Sequence, residues 1–177
     1  MRLRALAPAD APAVALLHAT SWRSAYRGML PDSFLDHDVV ADRQAVWQAR
    51  LHTDPSPAAF GHVIEDTTTG QLIGFAYALR GHDPVWGTLV DNLHVHPDHK
   101  SQGLGRQLLQ AVARTLGPEH QQPLHLWVLD ANEPAKRFYA RVGAEFAERS
   151  LSAHFGGVQL PEWRCVWRDP AQLLALG

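Results

Sequence analysis

One stretch limits the fold more than any other. In "HVHPDHKSQGLGRQLLQAVARTLG", His94 to Gly117, an apolar strand runs through a glycine loop straight into a helix. Leu104, Leu108, Leu109, Val112 and Leu116 recur on one helical face, so this helix lies against a sheet. The first turn of any helix leaves about four backbone N–H groups without partners, and the aligned dipoles add roughly half a positive charge there. Glycines such as Gly103 and Gly105 let the backbone approach a ligand without Cβ interference. A phosphate or pyrophosphate is therefore the expected ligand, with Lys100 and Arg106 as nearby cations. Spacing excludes two other phosphate loops. A dinucleotide fingerprint needs a third glycine where Leu108 stands, and a nucleoside-triphosphate loop needs a wider glycine spacing followed by Lys-Ser/Thr.

The flanking segments set the order of elements. "RLRAL" alternates like a strand and stops before Pro8. Asp10 offers an N-cap to a helix in which Val14, Leu17, Ser21 and Ala25 share a stripe, and Gly28 ends it. Residues 40–51 read as a second helix, with Val46 and Trp47 inward. "GHVIED" and "QLIGFAYAL" pair across the tight turn "TTTG", and "TLVDNLHV" leads into the glycine loop. Beyond it come the strand "LHLWVL", a helix in "NEPAKRFYARVG" closed by Gly143, and two strands around "AEFAERSL" and "VQLPEWRCVW". In the last of these Trp163, Cys165 and Trp167 alternate to one face. The predicted order β-α-α-β-β-β-α-β-α-β-β is a mixed α/β fold forming one domain, residues 1–177.

Composition removes several function classes. Sixteen basic and eighteen acidic residues leave a formal net charge of -2, which disfavours nucleic acid as the main partner. The lone cysteine, Cys165, excludes an internal disulfide, and no apolar run approaches the roughly 20 residues of a membrane span. A cytoplasmic protein without membrane contact is expected. "HVHPDH" offers His94, His96 and His99, but Pro97 ends the strand and no spaced cysteine or carboxylate completes a tetrahedral set. No metal is expected.

"VHPDHKSQGLGRQLL" resembles the acyl-CoA pyrophosphate loop of the GNAT superfamily of N-acetyltransferases, through Lys100, Gly103 and Gly105 with Val95 and Pro97 upstream. Lys100 stands where the family pattern has Arg or Gln. "LWVLDANEPAKRFYARVGAEF" resembles the same family's second cofactor segment, with Asn132 ahead of a helix and a Phe-Tyr pair before a glycine. Asn132 and Tyr139 return to within about 20° of one another around the helix axis. Taken alone, Asn132 reads equally as an N-cap and Tyr139 as a packing residue. The resemblance is strongest over residues 60 to 147.

The resemblance implies a GNAT-like acyl-CoA N-acyltransferase fold, with a central mixed twisted sheet splayed between its fourth and fifth strands and flanked by helices. It implies acetyl-CoA as co-substrate. The backbone of Leu93, His94, Val95 and His96 would pair with the pantetheine arm. Lys100, Ser101, Gln102, Gly103, Leu104, Gly105 and Arg106 would surround the diphosphate, with Asn132 and Tyr139 also at the cofactor. A free N–H near Val95 would face the thioester oxygen.

The implied reaction is direct acetyl transfer to a primary amine of a small molecule or peptide, with Tyr139 as the general acid for the departing thiolate. An alkylammonium is only about one part in a thousand neutral at pH 7, so its proton needs an acceptor. Many relatives carry a glutamate early in the fourth strand or midway along the fifth; Leu89 and Trp127 hold those positions here. Asp91 is the first candidate base, with His94 or a water chain as alternatives. Trp22 and Tyr26 would flank the acceptor together with Trp127, although aromatics four apart on a helix also read as core. The missing glutamates leave open a non-catalytic acyl-CoA-binding or regulatory domain of the same fold. The late strand from Val158 to Trp167 is compatible with a monomer or with a homodimer paired along it.

Overall fold

In a computed structural model, which describes residues 1–117, 122–155 and 158–176, side-chain alternation along the strands builds two different layers on one sheet. The strands are β1 (Arg2–Ala5), β2 (Ala59–Glu65), β3 (Leu72–Asp83), β4 (Gly87–Val95), β5 (Leu124–Leu129), β6 (Glu145–Phe155) and β7 (Val158–Trp167). They line up as β1-β2-β3-β4-β5-β7-β6. The helices are α1 (Ala11–Ala25), α2 (Val39–Gln48), α3 (Leu104–Leu116) and α4 (Glu133–Arg141). This is the order read from the sequence. Wide π-type turns at Phe34–Asp38 and Ala49–Thr53 extend α2 at both ends.

Strand β3 shows how the layers separate. Phe75 and Tyr77 join Val14, Leu17 and Trp47 beneath α1 and α2. Ala76 and Ala78, on the other face, join Leu108, Leu109 and Val112 beneath α3. These three α3 side chains are 0 % exposed. Each such burial contributes roughly 1.5–3 kcal/mol, so packing alone anchors α3 to the sheet. Among the described residues, no helix is long and apolar enough to cross a membrane.

Two irregularities position the site. All neighbouring strands pair antiparallel except β4 and β5, and that parallel ladder holds only Thr88↔Leu124 and Leu89↔His125. Past Leu89 the two strands part, so the sheet splays where the family resemblance implies. The second irregularity is in β4. Tyr77 pairs with Asn92 and Ala78 with Val90, which leaves Asp91 as an extra residue. One inserted residue flips the alternation. Val90 and Leu93 therefore both pack toward α3, while Asp91 and Asn92 both reach Arg50 on the opposite face.

Candidate functional site

The glycine loop begins where β4 ends. His96 caps the short turn Pro97–His99, its Nδ1 accepting the Asp98 N–H at 3.3 Å. Lys100, Ser101, Gln102 and Gly103 follow, all exposed, and Ser101 (φ 63) and Gly103 (φ 79) both take left-handed backbone. The two glycines answer different demands. A Cβ on Gly103 would meet nothing within 4 Å, so its positive φ is the constraint. A Cβ on Gly105 would stand 3.0 Å from Phe138 Cζ, so there the constraint is the close approach of α3 to α4. Leu104, fully buried, pins the first turn from below. Gln107 is the first residue whose N–H closes the helix, onto Gly103 O at 3.0 Å. The amides of Leu104, Gly105 and Arg106 precede any intrahelical acceptor, and Gly103 supplies no side-chain cap. Lys100 and the half-buried Arg106 add positive charge beside them.

The open edge of β4 adjoins this turn. His96 N–H donates to Ile73 O at 2.8 Å, in register with Phe75↔His94. Antiparallel pairing alternates, so His94 and His96 turn their backbone groups toward β3. Leu93 and Val95 turn theirs toward β5, where the ladder has already ended. The four strand residues expected at the cofactor thus divide into two that present backbone to the gap and two that do not.

On the far side of the gap, Asn132 caps α4, its Oδ1 accepting the Ala135 N–H at 3.3 Å. Tyr139 is 8 % exposed and packs edge-on to Trp167 with ring centroids 6.2 Å apart. Burial holds its phenol well above the usual tyrosine range, and the nearby Tyr26 phenol and Cys165 thiol add to the rise. Cys165 itself is fully buried, its thiol pushed up to about 12 by that burial.

The opposite face of the sheet holds the residues expected at the acceptor. Trp22 is buried with the Arg43 guanidinium 4.3 Å from its ring centroid, and Tyr26 packs edge-on against it at 5.5 Å. Burial raises the Tyr26 phenol to about 12, and the Glu162 carboxylate contributes to the rise. Trp127 is covered by Arg164, whose guanidinium carbon lies 4.2 Å from the ring centroid and which pairs with Glu148 at 2.7 Å. Asp91 Oδ2 makes an ion pair with Arg50 at 2.6 Å, outside hydrogen-bond alignment. His94 Nδ1 lies 3.0 Å from Ser21 Oγ, and its ring is 4.3 Å from that of His18. Burial lowers the His94 imidazole to about 3, with the Arg43 and Lys100 charges adding to the drop, so it is neutral at pH 7.

Sequence reading missed three features here. His18, 0 % exposed, accepts the Trp47 indole N–H at 3.0 Å through Nδ1. Its proton must therefore sit on Nε2, which is buried without a hydrogen-bond partner among the described residues. The Val14–Leu17–Ser21 stripe of α1 carried a signal for it, because His18 lies four residues after Val14. Glu162 is 8 % exposed on β7 and stands opposite Leu129 of β5. Asp130, just past β5, accepts from the Lys136 ammonium at 3.2 Å and the Trp163 indole at 2.9 Å. No local pattern marks either carboxylate. A cavity of about 350 Å³ lies beside them, between Gly28 and Met29 after α1, Leu129 at the end of β5, and Leu160 and Pro161 on β7.

Residues 18–144 match the profile of the acetyltransferase (GNAT) family. The uncharacterized N-acetyltransferase YuaI of Bacillus subtilis (strain 168) is 25% identical over 171 residues, 94% of this chain and 92% of that protein. Mycothiol acetyltransferase of Streptomyces coelicolor is 32% identical over 120 residues, 66% of this chain but only 37% of that enzyme's length. Among solved structures, a GCN5-related N-acetyltransferase from Rhodopseudomonas palustris aligns with a TM-score of 0.70 at 24% identity, over 93% of both chains. PaiA N-acetyltransferase from Thermoplasma acidophilum, solved in complex with coenzyme A, aligns with a TM-score of 0.65 at 15% identity, over 92% of this chain and 98% of that one.

Proposed function

The chain belongs to the acetyltransferase (GNAT) family, and from that premise we propose that it moves an acetyl group from acetyl-CoA directly to a primary amine, with Tyr139 as general acid. One observation carries the reading. Leu93 and Val95 on the open edge of β4, Leu104 at the start of α3, and Tyr139 all pack in the same cluster. Anion grip, backbone edge and phenol therefore share one layer of the core, which supports a single cofactor site between them. The residues fit coenzyme A: the first-turn amides of Leu104, Gly105 and Arg106 would hold its diphosphate, and the Leu93 and Val95 backbone would pair with its amide arm. Bound there, acetyl-CoA supplies an activated thioester carbonyl.

The roles of the chain's own groups follow. The Val95 N–H would donate to the thioester oxygen as negative charge grows on it. Tyr139 would hold its proton until the carbon–sulfur bond breaks, then give it to the sulfur. A phenol with a raised proton affinity suits this, because the same desolvation raises the affinity of the leaving thiolate. Asn132 would fix the entry of α4 and with it the phenol. Tyr26, Trp22 and Trp127 would border the acceptor. The acceptor amine would belong to a small molecule or a peptide, in the cytoplasm.

The test is mass spectrometry of a mixed amine library after incubation with acetyl-CoA and the protein. Acetylated amines and free coenzyme A appearing together are expected. Coenzyme A binding without any acetylated product would replace the enzyme reading with that of a binding domain.

A further inference from the structure

The acetyl-transfer reading lacks a proton acceptor and an entrance for the amine, and the following inference rests on that reading. Of the bases expected from sequence, Asp91 is held by the Arg50 guanidinium, and His94 is a neutral, weakly basic ring beside Ser21. A third titratable group occupies the same face. Side chains of β7 alternate, so Trp163, Cys165 and Trp167 point toward α3 and α4 while Glu162 and Arg164 point the other way. Leu160, two residues before Glu162 and on its face, packs against the Trp22, Leu30 and Leu35 cluster that also takes in Tyr26. The Glu162 carboxylate is therefore buried beside the C-terminal end of α1, close enough to act on the Tyr26 phenol, which in turn acts on that of Tyr139. The carboxylate and the two phenols thus lie in series, each within electrostatic reach of the next.

A cavity of about 350 Å³ is lined by residues that adjoin Tyr26 and Glu162 in the chain. Its walls are the turn that follows Tyr26, the Leu129 that faces Glu162, and the two residues of β7 that precede Glu162. Met29, Leu129, Leu160 and Pro161 make that wall largely apolar. Asp130 and Glu133 also line the cavity, and their two carboxylates are balanced by Lys136, which pairs with both, and by Arg149, which pairs with Asp130.

We propose that the acceptor is a small monoamine with an apolar body, that it enters through this cavity, and that Glu162 takes the first proton from its ammonium. The step balances. The ammonium gives one proton to the Glu162 carboxylate, which passes it to solvent. The nitrogen lone pair then forms the bond to the acetyl carbon, the carbon–sulfur bond breaks, and Tyr139 protonates the sulfur. The second proton leaving the nitrogen restores the Tyr139 phenol. The products are the N-acetyl amine and the coenzyme A thiol. A buried carboxylate from β7 would do the work of the glutamates that Leu89 and Trp127 replace.

Phenethylamine serves as the probe, with acetyl-CoA as donor and rates measured from neutral to alkaline pH. At neutral pH Glu162→Gln is expected to lower kcat/KM for phenethylamine about 100-fold, the scale of one lost acid–base group. The deficit should shrink as pH rises and the amine loses its proton unaided, a recovery that a merely structural defect would not produce. Acetyl-CoA affinity by calorimetry should stay unchanged, and Glu162→Asp should fall between. Equal rates for E162Q and wild type, or a deficit that persists at alkaline pH, would overturn the proposal. If E162Q fails to fold, Leu160→Trp decides instead: filling the cavity should raise KM for phenethylamine severalfold without weakening acetyl-CoA, and an unchanged KM overturns the entrance. A wild-type enzyme that acetylates polyamines but not phenethylamine overturns the acceptor class alone. One that acetylates no amine brings down the parent reading with it.

Discussion

Under α3 and α4 the core cluster is apolar except for Tyr139, Cys165 and Trp167. Across the sheet, on the side of α1 and α2, the buried and half-buried set includes His18, Ser21, Asp91, His94, Glu162 and Arg164. The first face fixes geometry by filling volume: leucines on α3 meet alanines on β3, and one phenol is left at the gap. The second face holds charges and neutral bases within a few ångströms of one another. A reaction whose leaving group needs one proton delivered and whose nucleophile needs one removed benefits from that division. The apolar side keeps a proton on a phenol, and the polar side offers places for a proton to go.

The comparison breaks first if the apolar face does not set stability. Leu108→Ala, at a fully buried position, should cost about 3 kcal/mol in chemical denaturation, the transfer and cavity cost of such a deletion. A loss below about 1 kcal/mol would mean that α3 is held by something other than its stripe.

Next comes the phenol. Tyr139→Phe should reduce turnover about 100-fold, or about 2.7 kcal/mol of barrier, while acetyl-CoA affinity stays within error. Undiminished turnover would remove Tyr139 from the chemistry and leave it as a packing residue against Trp167.

The smallest effect concerns the polar face. His94 takes its proton near pH 6.5 when unfolded but only at about 3 in the fold, and His18 is shifted the same way by its burial. Between those limits the unfolded chain binds more protons, so stability is complete above about pH 6.5 and declines as pH falls. Each imidazole contributes a slope of up to about 1.4 kcal/mol per pH unit. Thermal melts from pH 6.5 down toward 5 should show the decline, and His94→Gln should flatten it by one histidine's share. An identical slope in the variant would place the titration elsewhere.

Much of the apolar face was legible in the chain. The stripe of α3, the glycines before it, the Asn132 cap and the alternation of Trp163, Cys165 and Trp167 are local patterns, and each appears where its spacing predicts. The polar face was legible only in part. Asp91 was singled out, but not the bulge that turns it toward Arg50, because a bulge is a property of two strands in register. The family resemblance puts Trp127 beside an acceptor space, and nothing in the sequence signals that Arg164 lies on it.

The sequence by itself determined the order of strands and helices, the glycine turn at the start of α3, and the phenol two turns beyond Asn132. These depend on periodicity and backbone freedom within a single segment. Tertiary structure decided which polar groups share a burial: Ser21 with His94, 73 positions apart, and Glu162 with Tyr26. Alternation tells a strand residue which way to point, but what covers it, and so whether its charge is solvated or confined, comes from segments far away in the chain.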